Sequence, residues 1–335
     1  MASVDVIVPC YQYGRYLRDC VASVLSQEIQ DLHVLIIDNA STDNSIQVAR
    51  ELSFEDSRIQ VLAHRINLGH HASFNEGIDW ASSDYFMILC ADDRLAPGCL
   101  RRAVSIMEQH RDVVFAYGRM RIISSSEPIP FIKHRTQDES WRILSGRRLL
   151  ERFCLTGQGL TGRIVLMRTA AQKKAGHYRR GLLHMDDFEM WMRLACLGDV
   201  AETGAVQGVV RSDPTNRSAD LSNPLMWDLE CEAAFHSFFA NEGASAPAAK
   251  GLHRIASRNL AERAYWGGLA NLLRGHGRLG LSLLRFAFRR RPTMIILPPL
   301  THLLRRDDAL SKITHVFSEL ARRVRIPISH RQAAS

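Results

Sequence analysis

Two adjacent carboxylates, Asp92 and Asp93, directly follow the apolar run 85–90, and a third, Asp38, ends the apolar run 34–37. Paired hard oxygen donors suit Mg²⁺ or Mn²⁺, ions that neutralise a phosphate ester. Carboxylates delivered at strand tips predict a site for a metal-bound nucleotide, because ligands of an open α/β sheet sit in the crevice beyond the strand ends. Aspartate is equally common in turns and helix caps, and the spacing alone leaves both roles open.

The elements that must position these acids alternate along the chain. Residues 4–8 are rich in β-branched side chains and end at Pro9, and residues 16–25 then carry apolar positions at helical spacing. The strand pattern returns at 32–37, followed by a turn and capping cluster at 39–42 and a helix marked by Ile46, Val48, Ala49 and Leu52. A short strand at 59–63, a helix at 72–81, a strand at 85–90, a helix at 100–110 and a strand at 113–117 continue the series. Such alternation predicts an α/β fold with a mostly parallel sheet flanked by helices. Beyond it, 121–125 reads as strand and the polar stretch 124–138, with Pro128 and Pro130, as a flexible loop. Residues 146–153 read as helix, 163–168 as strand, and 188–197 as an amphipathic helix that begins on an acidic turn. From Leu225 onward the composition is helical, with a linker at 244–249. The expected division is 1–222 for the α/β unit and 223–335 for a helical extension.

With 335 residues, 46% hydrophobic and 23% charged, the composition is that of an ordinary globular protein and excludes wholesale disorder. A formal charge of +8 suggests an anionic partner: nucleotide, lipid headgroup or nucleic acid. The arginines cluster with Leu and Phe near the C-terminus and no nucleic-acid recognition motif accompanies them, which argues against nucleic acid. Seven cysteines, odd in number and without metal-ligand spacing, are expected to be reduced and mostly packed. No secretory signal pattern precedes the first strand and no apolar stretch reaches about 20 residues, so a cytoplasmic protein without a spanning helix is expected. Residues 279–291 (LGLSLLRFAFRRR) and 293–304, with Pro298 and Pro299 ahead of Arg305 and Arg306, suit a segment lying on the inner face of the cell membrane. The same stripes would serve a helix packed on the α/β unit, and both readings stay open.

Six segments carry a resemblance: 6–13 (VIVPCYQY), 35–45 (LIIDNASTDNS), 65–69 (RINLG), 75–81 (NEGIDWA), 85–93 (YFMILCADD) and 186–194 (DDFEMWMRL). In this order they resemble the inverting family 2 glycosyltransferases with the GT-A nucleotide-sugar fold. The resemblance implies that Pro9, Cys10 and Tyr11 line the nucleobase pocket, that Asp38 accepts bonds from base or ribose, and that Asn67, Gly69 and Asn75 lie near the donor. It further implies that Asp92 contacts ribose or metal and that Asp93 holds the divalent ion, Mg²⁺ or Mn²⁺, bridging the diphosphate. Cys90 stands where many relatives carry another Asp, one carboxylate fewer. Asp186 and Asp187 resemble the acidic pair whose second member is the general base, which points to Asp187; both acids also suit the N-terminus of the following helix. In 210–218 (VRSDPTNRS), Asp213 stands where relatives often carry His, and Arg211 and Arg217 are alternative phosphate partners. His184 receives no role.

The implied activity is inverting, metal-dependent transfer of a sugar from a nucleotide-diphosphate donor to a hydroxyl of a saccharide or lipid-linked saccharide, as in cell-surface polysaccharide synthesis. Two rivals remain in other classes. A nucleotidyltransferase would share the acidic site but should show a Gly-rich, Lys-bearing phosphate loop after the first strand, which is missing from the sequence. A catalytically silent nucleotide-sugar-binding or scaffold protein would share the pocket, and Cys90 and Asp213 are the departures that suggest it.

Overall fold

Apolar runs with few polar interruptions become the centre of the sheet in the computed structural model, which describes residues 2–124, 127, 140–212, 222–246 and 248–300. Strands β1 (Ser3–Cys10), β2 (Asp31–Asp38), β3 (Ile59–Ala63) and β4 (Tyr85–Ile88) lie in the order β3-β2-β1-β4 and are mutually parallel. Between them run helices α1 (Gly14–Leu25), α2 (Ser45–Glu55) and α3 (His70–Trp80). Alternate side chains of β1 enter different layers: Val4, Val6 and Val8 pack with Leu17, Val21 and Val24 of α1, while Ile7 packs with Phe74 and Ile78 of α3. Burial on both faces explains why these strands lack a polar alternation.

Asp5 sets the position of β4. Its buried carboxylate accepts the backbone N–H groups of Ser82 (2.6 Å) and Ser83 (2.8 Å) and the Ser83 hydroxyl (2.6 Å). These bonds close the turn that feeds β4 beside β1, so the acids that follow β4 emerge next to the end of β1.

The remainder of the sheet is mixed, which alternation alone did not foretell. After the two-residue β5 (Arg94–Leu95) and helix α4 (Cys99–Gln109) comes β6 (Val113–Ser124), a single bulged strand where two separate ones were expected. Strand β7 (Trp141–Leu144), helix α5 (Gly146–Thr156), β8 (Val165–Arg168), α6 (Thr169–Ala175), α7 (Asp186–Ala195) and β9 (Asp199–Ser212) follow. β8 inserts antiparallel between β4 and β6, and β9 runs parallel to β6. The fourteen residues of β9 escape a sequence reading because Glu, Thr, Gly and Gln interrupt their apolar pattern. Most of the polar stretch at 124–138 lies outside the described residues.

Helices α8 (Pro224–Ala240), α9 (Ala249–Leu273) and α10 (Gly277–Arg290) cover one face of the sheet. An aromatic relay joins them to it: Phe153 of α5 meets Phe188 of α7 at 5.0 Å between ring centroids, and Phe188 meets Phe235 of α8 at 5.3 Å. Among the described residues one apolar cluster includes side chains from Ile7 to Met294, on both sides of residue 222. In α10, Leu283, Phe286 and Ala287 are buried within that cluster, and Arg290 pairs with Glu232. Arg291 pairs with Glu262 at 3.1 Å. Part of the 279–291 stripe therefore serves helix packing, while Leu281 stays exposed. Ile295, Ile296, Leu297 and Leu300 do stay exposed, and no helix among the described residues is long and apolar enough to cross a membrane. Arg305 and Arg306 lie outside the described residues. All seven cysteines are free thiols, and five of them are buried.

Candidate active site

Loops from the C-terminal ends of β1, β2 and β4 open onto one cavity of about 480 Å³. The β1 and β2 loops are laced together by hydroxyl and carboxylate acceptors. Ser41 Oγ accepts the Gln12 N–H at 3.0 Å, Ser45 Oγ that of Tyr13 at 3.1 Å, and Asp43 Oδ2 that of Gly14 at 3.1 Å. Gly14 is required by this closeness, since a Cβ there would lie 2.2 Å from Asn44 Oδ1. The lacing presents Pro9, Cys10 and Tyr11 to the cavity. Burial pushes the Cys10 thiol up to about 11, so it offers a neutral wall.

Asp38 lies opposite Cys10 in the parallel register and is 3% exposed. Its Oδ2 accepts the Ser41 N–H at 3.1 Å, while the buried Oδ1 has no donor among the described residues. A buried carboxylate oxygen in that state is suited to an N–H or hydroxyl supplied by a ligand. Asn39, which sequence reasoning read only as part of a turn, accepts the Leu68 N–H at 2.9 Å and donates to Asn67 Oδ1 at 3.0 Å. Asn67 also accepts the Gly69 N–H at 2.9 Å, and Asn39, Asn67 and Gly69 all line the cavity.

Asp92 and Asp93 are both buried at the cavity floor. Asp93 Oδ1 accepts the Arg211 backbone N–H at 3.1 Å, which fixes the end of β9 over the site. Burial, reinforced by the Asp92 charge, holds the Asp93 carboxyl well above the usual carboxylate range. Ligand atoms of Cys90, Asp92 and Asp93 converge within 4.8 Å of one another, so this donor set fits a divalent cation with the carboxylates as its hard ligands. Arg163 and Arg211 bring positive charge to the same cavity. The Arg211 guanidinium also sits over the Tyr16 ring, 4.6 Å from its centroid. Arg163, read from sequence only as the start of a strand, carries no local signal of a place in the cavity.

Asp187, half-buried in the first turn of α7, does not itself line the cavity, though its charge reaches Cys90 at the floor. The Tyr178 hydroxyl hydrogen-bonds it. Asn75 is turned away from the cavity and clasps the backbone of Tyr178, accepting its N–H at 2.7 Å and donating to its carbonyl at 3.1 Å. Asn75, expected near the donor, is not among the residues that line the cavity and holds the Tyr178 backbone. Asp213 and Arg217 lie outside the described residues, and the His184 N–H is bonded by Glu230 at 3.2 Å.

The family model for glycosyl transferase family 2 matches residues 5–175. The chain belongs to this family. Among curated relatives, an uncharacterized glycosyltransferase of Haemophilus influenzae is 24% identical over 203 residues, covering 59% of this chain and 63% of that protein. Glycosyltransferase GlyG of Streptococcus pneumoniae is 34% identical over 113 residues, covering 33% and 37%. The chain therefore spans less than two thirds of either relative's length. In fold it is similar to S. aureus TarS solved with UDP-GlcNAc, with a TM-score of 0.60 at 14% identity, covering 96% of this chain and 91% of the other. It is likewise similar to the mannosyltransferase PcManGT of Pyrobaculum calidifontis solved with GDP-Man and Mn²⁺, with a TM-score of 0.57 at 15% identity, covering 96% and 84%. The architecture is that of a GT-A glycosyltransferase, and the parallel half of the sheet carries the cavity.

Proposed function

We propose that this family 2 glycosyltransferase moves a sugar from a nucleotide-diphosphate donor to a hydroxyl of a saccharide or lipid-linked saccharide, inverting the anomeric centre. The observation that carries the reading is the cavity lined together by Pro9, Cys10, Tyr11, Asp92, Asp93, Arg163 and Arg211, with the charge of Asp187 reaching Cys90 in its wall. The base would rest against Pro9, Cys10 and Tyr11 and satisfy the orphaned Asp38 oxygen. The diphosphate would face the two arginines, which can pair with its charge. Asp93 and Asp92 are the residues that would hold Mg²⁺ or Mn²⁺, which when bound supplies Lewis-acid stabilisation of charge on the departing nucleoside diphosphate. The Mn²⁺ and GDP-Man in the mannosyltransferase, and the UDP-GlcNAc in TarS, support a donor and ion of this kind.

Asp187 would take the acceptor's proton as the hydroxyl attacks from the face opposite the leaving group. The Tyr178 hydrogen bond orients that carboxylate. Exposed Ile295, Ile296, Leu297 and Leu300 supply an apolar edge for peripheral contact with a membrane bearing a lipid-linked acceptor.

Thermal-shift measurements against UDP- and GDP-sugars, with Mn²⁺ or with EDTA, test the donor reading: one nucleotide should raise the melting point, and only with the ion. Failure of every nucleotide sugar would overturn it and favour a scaffold. Stereochemistry is read separately, from the anomeric configuration of the product by NMR, and a retained configuration rules out the role given to Asp187.

A further inference from the structure

A second cluster, separate from Cys90, Asp92 and Asp93, joins the beginnings of two helices. Gly69, with φ of 81°, turns the chain so that His70 and His71 become the first two residues of α3. Asp186 is the first residue of α7. Three atoms from these residues form a nearly equilateral triangle: His70 Nε2 to Asp186 Oδ2 is 3.0 Å, His71 Nε2 to Asp186 Oδ2 is 3.1 Å, and His70 Nε2 to His71 Nε2 is 3.0 Å.

With Asp186 ionised, hydrogen bonds among these three atoms cannot satisfy every edge of the triangle. If both imidazoles carry a proton on Nε2, Asp186 accepts twice but two donors confront each other at 3.0 Å. If one Nε2 is deprotonated, its lone pair confronts the carboxylate oxygen instead. Each assignment leaves one contact between like partners. A cation at the centre makes all three groups attractive at once.

The spacing also suits such an ion. Ligands at right angles around an octahedral cation, each about 2.1 Å from it, lie about 3.0 Å apart. We propose that His70, His71 and Asp186 form one face of a second divalent-metal site, selective for a transition-metal ion over Mg²⁺. Two imidazoles and one carboxylate are the donor set that borderline ions favour, whereas Mg²⁺ prefers oxygen alone. Side chains of Asp186 and His71 are 1% and 7% exposed, while that of His70 is 27% exposed and lines the cavity, so the remaining coordination positions open on the His70 side. Asp186, Asp187 and Glu189 in the first turn of α7 set negative charge against the positive helix ends that would otherwise disfavour a cation. An ion here ties the start of α3 to the start of α7 and so fixes the residue beside Asp187. Binding at this triangle does not depend on the glycosyl-transfer reading.

The test uses full-length protein stripped of metal by chelator and titrated with Co²⁺, whose visible absorption reports nitrogen coordination. With Asp92→Asn and Asp93→Asn in place, the first site is silenced and a Co²⁺-binding class with d–d bands should persist, unaffected by excess Mg²⁺. Adding His70→Ala and His71→Ala should weaken that class at least about 100-fold, with far-UV circular dichroism confirming the fold. His71→Gln alone, which keeps a polar side chain of similar size, should weaken it at least about tenfold, and serves if the double alanine variant does not fold. Co²⁺ affinity unchanged by either histidine variant, or no Co²⁺ bound below millimolar concentration with the histidines intact, overturns the proposal.

Discussion

Asp186 and Asp187 are neighbours in sequence with different surroundings: Asp186 is buried against two imidazoles, and Asp187 is half-buried with a tyrosine hydroxyl. Replacing the second by an amide removes its basicity and little of its shape. Asp187→Asn should keep the donor-induced rise in melting point while transfer falls by about 10²- to 10⁴-fold, the usual contribution of a general base. Undiminished turnover in that variant refutes the assignment. Asp93 makes a different prediction, through its proton. Because burial and Asp92 raise its carboxyl above the ordinary value of 3.8, the neutral form contributes stability that is fully present below that value. This contribution is lost as pH climbs through the raised folded value. Mn²⁺ must displace the same proton, so its apparent affinity should rise with pH, and calorimetry in two buffers of different ionisation enthalpy should show proton release. An affinity that does not rise with pH contradicts a site at Asp93.

At the scale of elements, α3 and α7 meet through the segment that contains Tyr178. Asn75 of α3 grips the Tyr178 backbone, Phe74 meets its ring at 5.1 Å, and its hydroxyl reaches Asp187. Asn75→Ala leaves the Tyr178 backbone groups short of partners, at a cost of about 1–3 kcal/mol. The expected kinetic signature is a lower kcat with the donor KM nearly unchanged, and the reverse pattern would return Asn75 to the donor pocket. Helix α7 depends on a buried ion pair of its own. Arg193, 3% exposed, donates through Nε to Glu189 Oε2 at 2.9 Å, and Arg179 approaches the other carboxylate oxygen. Glu189→Ala strands a buried guanidinium and should lower unfolding free energy by about 3–5 kcal/mol in a urea titration. A loss below about 1 kcal/mol shows that water or another acceptor replaces the carboxylate.

For the whole molecule, the shared core makes the C-terminal helices part of the catalytic unit's stability. Phe235, Phe238, Leu260 and Phe286 are buried in the same cluster as Phe153 and Phe188, although a division near residue 222 is what the change in composition suggests. A fragment ending there would expose that apolar face. It should bind a hydrophobic dye such as ANS and lose near-UV circular dichroism while keeping far-UV signal. A soluble fragment with native near-UV dichroism establishes two independent domains instead.

The primary structure by itself determined the strands that feed the cavity and the carboxylates at their tips, because uninterrupted apolar runs and turn residues act over a few neighbouring positions. Asp92 and Asp93 were legible this way, Pro9, Cys10, Tyr11, Asn67 and Gly69 through the family resemblance, and all seven line one cavity. The antiparallel entry of β8, the long β9 and the packing of α10 were not, since pairing partners and buried faces depend on which distant surfaces remain to be covered. Tertiary structure alone decided that Asn75 holds Tyr178, that Arg163 joins the cavity, and that His70 and His71 meet Asp186. Each of these meetings joins side chains about a hundred positions apart or supplied by unrelated segments, and local periodicity carries no information at that range.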